Sequence, residues 1–439
     1  MTIRFIHDLR ADDLPAAVVH QAKRALLDLI GVAVAGEATR LSAIARGFAA
    51  NNLCSASGGA RMIFDGRRVS PSGAAFAGAS SIDSFDAHDG HRPTKGHAGV
   101  ALLPALLALA EGRAEIDGRE FLTALVLGYE IATRAGIALH ASVSDYHTSG
   151  AWNALGVVAM GARIGRMDEA TTRHALGIAE YHGPRSQMMR CIDHPTMLKD
   201  GSGWGALAGM SALALAADGF TGAPAILVED PAQASLWADL GSRWTMLELY
   251  FKPYPVCRWA QPAVEAAAGL VARHGIAPGD IAGVEIRTFD AGVRLGTALP
   301  STTEAAQYAL GFPLAAFLAR GRIDAAAIGE DGLHDKAIAD MLTRIGLIEE
   351  PAFTSRFPAE RVATARLTLQ DGTVHDSGPV TARGDPESPP SDGELIAKFR
   401  DLAAALPADR VRRIEDAVFG LDQMGTRALL DDVLSPIAR

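Results

Sequence analysis

The sequence predicts a mostly α protein: a large all-helical domain, residues 1–260 with 394–439, interrupted by a smaller α+β domain at 261–393. Three observations predict it. Apolar residues recur at helical spacing through the first half of the chain. Alternating, strand-like segments appear only after residue 260. A stretch rich in Pro, Gly and Ser, "GPVTARGDPESPPSDG" (378–393), reads as a linker, and helical patterns return after it. A chain of 439 residues is too long for one ordinary core and suits two or three domains.

The elements follow in order. "PAAVVHQAKRALLDLIGVAVAG" (15–36) has a helical apolar period and ends on Gly36, a residue suited to a helix C-terminus. "RMIFDGRRVSP" (61–71) reads as a short hairpin turning at Asp65-Gly66. Helices are expected at 99–113, 118–139, 151–165, 168–180 and 203–218. The small residues Gly203, Gly205, Ala206, Ala208 and Gly209 let neighbouring backbones approach in the last of these. Beyond 260, a helix "AQPAVEAAAGLVARHG" precedes a strand at 281–289. A second strand, 363–370, turns at Asp371-Gly372 into "TVHDSG", with helical segments around 304–319 and 334–345 in between. Two last helices are expected at 394–404 and 408–418.

Composition narrows the function. With 49% hydrophobic and 21% charged residues the chain can bury a core. A net charge of −10 gives no global attraction to nucleic acid or to anionic membranes. Cys54, Cys191 and Cys257 are odd in number and far apart, which is neither a disulfide framework nor a zinc spacing. The N-terminus lacks the pattern of a secretion signal, and Pro, Gly or charge interrupts each apolar run. The expectation is a cytoplasmic protein that partners neither nucleic acid nor membrane.

Four polar clusters stand out. "SSIDSFDAHDGHRPTKGHAG" (80–99) places Asp83, Asp86, His88, Asp89, His91, Lys95 and His97 close together. It is either a solvated loop or the wall of a reaction site. "SDYHTSGAWNALG" carries His147 just before a helix, with Thr148 or Ser149 near the N-cap. "HGPRSQMMRCIDHPTMLKDGSGWG" carries His182, Arg185, Arg190, His194, Lys199 and Asp200. "YFKPYPVCRWAQ" carries Lys252, Tyr254, Cys257 and Arg258. Each side chain also has a structural reading: a capping His, a solvated Lys, a packing Tyr, a small buried Cys. Four such loops in one chain favour a site.

Two chemistries fit. Proton transfer on a small polycarboxylate needs cations for the carboxylates, such as Lys199, Lys252, Arg258 and Arg185 or Arg190. It also needs a His to move a proton at neutral pH. Metal chemistry has possible ligands in His88, His91, His97, Asp83, Asp86 and Asp89. No H-E-x-x-H helix is present, so no metal is assigned. On a metal-dependent hydrolase reading, His88, His91 and Asp86 are the first ligands to test. No phosphate-binding glycine motif is found.

The ordered stretches "LLDLIGVAVAG", "GHAGVALLPALLALAE", "LGYEIATRAG", "YHTSGAWNALGVVAMGARI", "MLKDGSGWGALAGMSALALAADGFTG" and "YFKPYPVCRWAQP" resemble the MmgE/PrpD family. This family includes 2-methylcitrate dehydratase, cis-aconitate decarboxylase and iminodisuccinate epimerase. The resemblance covers most of residues 20 to 320. It implies a large helical domain with a smaller α+β lid domain, a homodimer, and a cofactor-free site between the domains. By motif, His97, His147, Lys199, Lys252 and Tyr254 match family positions. Asp83, Asp86 or Asp89 stands for the loop aspartate. His147, His97, Lys199 and Asp86 are thus the catalytic candidates. Lys252, Tyr254, Arg258, Asp83, Asp89 and Arg190 are the substrate-binding ones.

The chain departs from the family pattern at Gln261, where many members have His, and at Phe312, where decarboxylase-like members have Tyr. The Asp-rich loop also differs from D-x-D-D-T. These departures weigh most against the decarboxylase reading. The leading expectation is dehydration of a 2-methylcitrate-like hydroxy acid. Epimerisation or decarboxylation of a similar acid comes next, and a non-catalytic carboxylate-binding or scaffold protein after that.

Overall fold

The computed structural model describes residues 2–56 and 58–438. The chain is mostly helical and divides into two compact units. The first comprises 1–188, 199–250 and 390–439; the second comprises 189–198 and 251–389. The division thus falls ten residues before the expected 260. The short segment 189–198 also leaves the helical unit, a detour that no composition change marks.

In the first unit the helix Gly118–Ser142 lies at the core, packed on Gly150–Ile164. The helix Ser202–Ala217 packs on both Gly150–Ile164 and Pro71–Asp83. Gly150 and Gly205 make this approach possible, since a Cβ on Gly205 would lie 2.8 Å from the Gly150 Cα. Asp117 and Asp168 cap their helices by accepting from Glu120 N–H (2.8 Å) and Thr171 N–H (2.7 Å), each cap being worth about 1 kcal/mol. The helix Asp392–Leu402, which follows the second unit in the chain, packs against Ala16–Glu37, so the N- and C-terminal parts of the chain share this unit. The expected hairpin is present, pairing Ala60–Arg61 with Arg68–Val69. By length and composition Gly118–Ser142 could cross a membrane, but 94% of its apolar window is buried in the fold.

The helix Pro71–Asp83 escaped the periodicity reading because it is buried on every side from Gly73 onward. A helix without a polar face leaves no amphipathic signature. In the second unit the strand Ile281–Thr288 is central. It pairs antiparallel with Val362–Leu369 and parallel with Ile345–Glu349. Val374–Asp376 and Val380–Thr381 extend the sheet from Val362–Leu369. Ile345–Glu349 was not expected, and the helix before it ends at Leu342. The single helix expected at 304–319 is two, Thr303–Gln307 and Gly311–Arg320. Pro313 lies in the first turn of the second, where its missing N–H costs nothing.

Candidate active site

Within the first unit, three loops meet. The loop after Pro71–Asp83 is not solvated: every residue from Asp83 to His91 is buried. Gly90–His91 pairs with Leu249–Tyr250, and His91 N–H closes the loop onto the Gly96 carbonyl at 2.9 Å. The Asp89 carboxylate accepts from the Tyr129 hydroxyl, 3.1 Å from each oxygen. The Asp89 carbonyl lies 2.7 Å from His97 Nδ1. A carbonyl can only accept, so His97 carries its proton on Nδ1 and its lone pair on Nε2.

His147 is arranged in the same way. Its Nδ1 lies 3.2 Å from the Asp145 carbonyl, which leaves Nε2 for chemistry. Its backbone N–H donates to His140 Nε2 at 3.1 Å. That bond requires His140 to be unprotonated at Nε2. Burial, then the Lys95 charge, pushes the His140 pKa down to about 4 and keeps it so. The His147 pKa is lowered by burial and by the Arg185 guanidinium.

Ser149 joins these loops to the third. Its Oγ accepts from His97 N–H at 2.8 Å and donates to Asp200 Oδ2. Ser149 is the N-cap of Gly150–Ile164, yet its hydroxyl makes no cap bond. Gly150 N–H instead donates to the Asp200 carbonyl at 3.1 Å. Next to Asp200, Lys199 is 3% exposed and sits in the left-handed region, φ 48°. It is not a solvated loop lysine. Asp83 accepts from Ser202 N–H at 3.3 Å, and the Lys199 charge partly offsets the burial that raises its pKa. Burial raises Asp200 further, helped by the negative charge of Asp83.

Asp86 is buried beside His88, with Oδ1 3.6 Å from His88 Nε2. His91 lies apart from that pair: its Nε2 is 3.4 Å from Glu248 Oε2, and burial lowers its pKa.

The remaining candidates belong to the second unit. Lys252 is 1% exposed. Tyr254 is half-buried, its hydroxyl pushed up to about 12 by burial and by Glu265. The Arg258 guanidinium donates to Gln261 Oε1 (2.7 Å) and the Arg383 carbonyl (2.8 Å), and pairs with Asp385 (2.9 Å). Gln261 Nε2 in turn donates to the Tyr254 and Val256 carbonyls, at 3.1 and 3.0 Å. Gln261 therefore holds the Lys252–Arg258 loop in shape. Arg190 is exposed near the start of the short helix Met189–Asp193. Phe312 is fully buried.

Two family models match the chain. The model of the MmgE/PrpD N-terminal domain matches residues 2–236, and that of the C-terminal domain matches 254–423. The chain belongs to the MmgE/PrpD family. It is 25% identical to a cis-aconitate decarboxylase of Aspergillus terreus, over 95% of this chain and 91% of that protein. It is 24% identical to the cis-aconitate decarboxylase of Mus musculus, over 98% and 91%. It is 27% identical to the 2-methylcitrate dehydratase of Escherichia coli (strain K12), over 74% and 72%.

Ser149, His140 and Tyr129 were not singled out as functional from the family motifs. Ser149 and Asp200 did carry a local signal, a hydroxyl at a helix start and an acid beside the family lysine. That they meet is a tertiary fact. One consequence is testable by stability. A carboxyl whose folded pKa is raised holds its proton in the folded chain after the unfolded chain has lost it. Stability therefore falls as pH rises from the ordinary value, 3.8, through the raised folded value. Asp200→Asn keeps an oxygen for the Ser149 hydroxyl and removes the titration. Thermal melts should show the variant gaining on the wild-type protein as pH rises from about 4 toward 8. Parallel curves would mean Asp200 titrates normally.

Proposed function

We propose that the protein is a cofactor-independent lyase acting on a small di- or tricarboxylate, and that its reaction is dehydration of a 2-methylcitrate-like hydroxy acid. The observation that carries this is the pair His97 and His147. Both have Nδ1 against a backbone carbonyl, which puts each ring's lone pair on Nε2, and Lys199 of the same unit is buried. One imidazole takes the proton from the carbon next to a carboxylate. The C–O bond at the neighbouring carbon breaks, and the leaving hydroxide is protonated to water by an acid of the site, giving the alkene. Asp86 is the acid we assign. Lys199 of the first unit and Lys252 of the second are the residues we assign to the substrate's carboxylates, with Asp89 and Tyr254 as further substrate-binding residues. The family resemblance also supports a homodimer.

Decarboxylation is the second reading. It is favoured by the relatives named cis-aconitate decarboxylase that align over nearly the whole chain. Phe312 weighs against it, standing where the decarboxylase-like pattern has Tyr.

The test is a panel of citrate, methylcitrate, aconitate and aspartate-like acids in deuterated buffer. Deuterium should enter at the acidic carbon of one of them, with alkene formed and no CO2 released. Release of CO2 would favour the second reading. No exchange with any acid would leave a binding protein. Turnover should survive exhaustive chelation. Loss on chelation, restored by one specific metal, would overturn the cofactor-independent reading.

A further inference from the structure

The loop 83–97 contains more than the proton-transfer reading uses. His88 is completely buried, and so, within a few per cent, are Asp83 and Asp86. His88 Nε2 lies 3.6 Å from Asp86 Oδ1 and 3.9 Å from Asp83 Oδ1. One ligand atom each from Asp86, His88 and half-buried His97 lies within 4.8 Å of the others. The two imidazoles meet edge to face, with centroids 4.4 Å apart.

These separations are the telling feature. A charged hydrogen bond between imidazole and carboxylate would close to about 2.8 Å. Two ligands each about 2.0–2.1 Å from a shared tetrahedral cation stand roughly 3.3–3.5 Å apart. The Asp86–His88 distance fits the second case better than the first.

The orientation of the rings fits as well. The Asp89 carbonyl accepts from His97 Nδ1 at 2.7 Å and lies 3.4 Å from His88 Nδ1. One carbonyl, with two lone pairs, thus meets Nδ1 of both rings. Metal-bound histidines are held in this way, the non-ligating N–H tied to a carbonyl or carboxylate. Asp83 Oδ1, 3.9 Å from His88 Nε2, is buried and accepts no hydrogen bond among the described residues.

We propose that Asp86, His88 and His97 form a three-ligand binding site for a divalent first-row transition metal of the Zn2+ class. Two imidazole nitrogens and one carboxylate oxygen suit such an ion and suit Mg2+ or Ca2+ poorly. The site is inhibitory rather than catalytic, a consequence that rests on the proposed function. A metal on His97 Nε2 occupies the lone pair that would take the substrate's proton.

The binding test is independent of activity. The full chain, stripped with chelator and dialysed, is titrated with Co2+ and followed by visible absorption. One equivalent per chain should bind with tetrahedral d–d bands, and Zn2+ should displace it. Affinity should fall at least about tenfold in His88→Asn and in Asp86→Asn. His91→Asn should bind as the wild-type protein does. Should His88→Asn fail to fold, as judged by its thermal melt, Asp86→Asn and His97→Gln decide. No Co2+ band, or the same affinity in these variants as in the wild-type protein, would overturn the site. Where the wild-type protein turns over an acid, added Zn2+ should inhibit it, and chelator should restore it. Metal binding without inhibition would overturn the inhibitory role and leave the binding site standing. Absence of turnover on every acid would instead count against the proposed function.

Discussion

His147→Gln should lower turnover by about a hundredfold or more, the usual loss when a positioned general acid–base group is removed. Glutamine keeps a polar side chain of similar length, but it cannot accept and return a proton. The local structure suits His147 to the task. Its Nδ1 faces the Asp145 carbonyl, so Nε2 is the acceptor, and burial with the nearby Arg185 charge lowers its pKa from the ordinary 6.5. The lowered value means the neutral base is already the main form at pH 7. The rate limb that requires the base should therefore fall at a lower pH than for an ordinary histidine. The backbone bond from His147 N–H to His140 does not involve the substituted side chain, so the loop should keep its shape. Circular dichroism and a thermal melt check folding, and steady-state kinetics on the active acid check the rest. A folded His147→Gln protein with near-normal kcat would remove His147 from proton transfer.

What could be read from the chain in advance depended on how local each signal was. The amphipathic helices, the Asp65-Gly66 hairpin and the strands at 281 and 363 carry their pattern within a dozen residues. Their structures lie close to the expected ranges. Pro71–Asp83 and Ile345–Glu349 did not, the first because it has no polar face and the second because five residues hold too little period. The candidate site divides along the same line. Side chains whose type suits chemistry, such as His97, His147, Lys199 and Lys252, could be named from motifs. Ser149 is an ordinary helix-start residue in sequence. Its importance comes from contacts with residues 52 positions before and 51 after it. Arg258 shows the opposite limit. A lone Arg in a polar cluster reads as a carboxylate binder, yet its guanidinium is engaged by Gln261, Asp385 and the 382–383 backbone.

The second large effect is expected at the lysines. A polycarboxylate carries two or three negative charges, and the protein's net charge of −10 repels it. Moving those charges out of water is costly unless each carboxylate meets a fixed positive partner. Lys199 and Lys252 lie in separate motifs, one in each unit, and are 3% and 1% exposed. Had they been surface lysines, exchange for Met would change little. Buried as they are, Lys199→Met or Lys252→Met should lower kcat/KM by about 2–4 kcal/mol, the scale of losing a charged partner in a desolvated site. Met matches the length of the aliphatic stem. It is also no worse than Lys in the left-handed backbone at 199, so no new strain enters there. Without the Lys199 charge, the one group that most offsets burial at Asp83 is gone, and Asp83 should take up a proton rather than stay buried as an anion. Folding of Lys199→Met should therefore survive, and the loss should appear in kinetics. Substrate affinity of the wild-type protein should weaken as salt rises. Wild-type kinetics in both folded variants, with no salt dependence, would place the carboxylate pocket elsewhere.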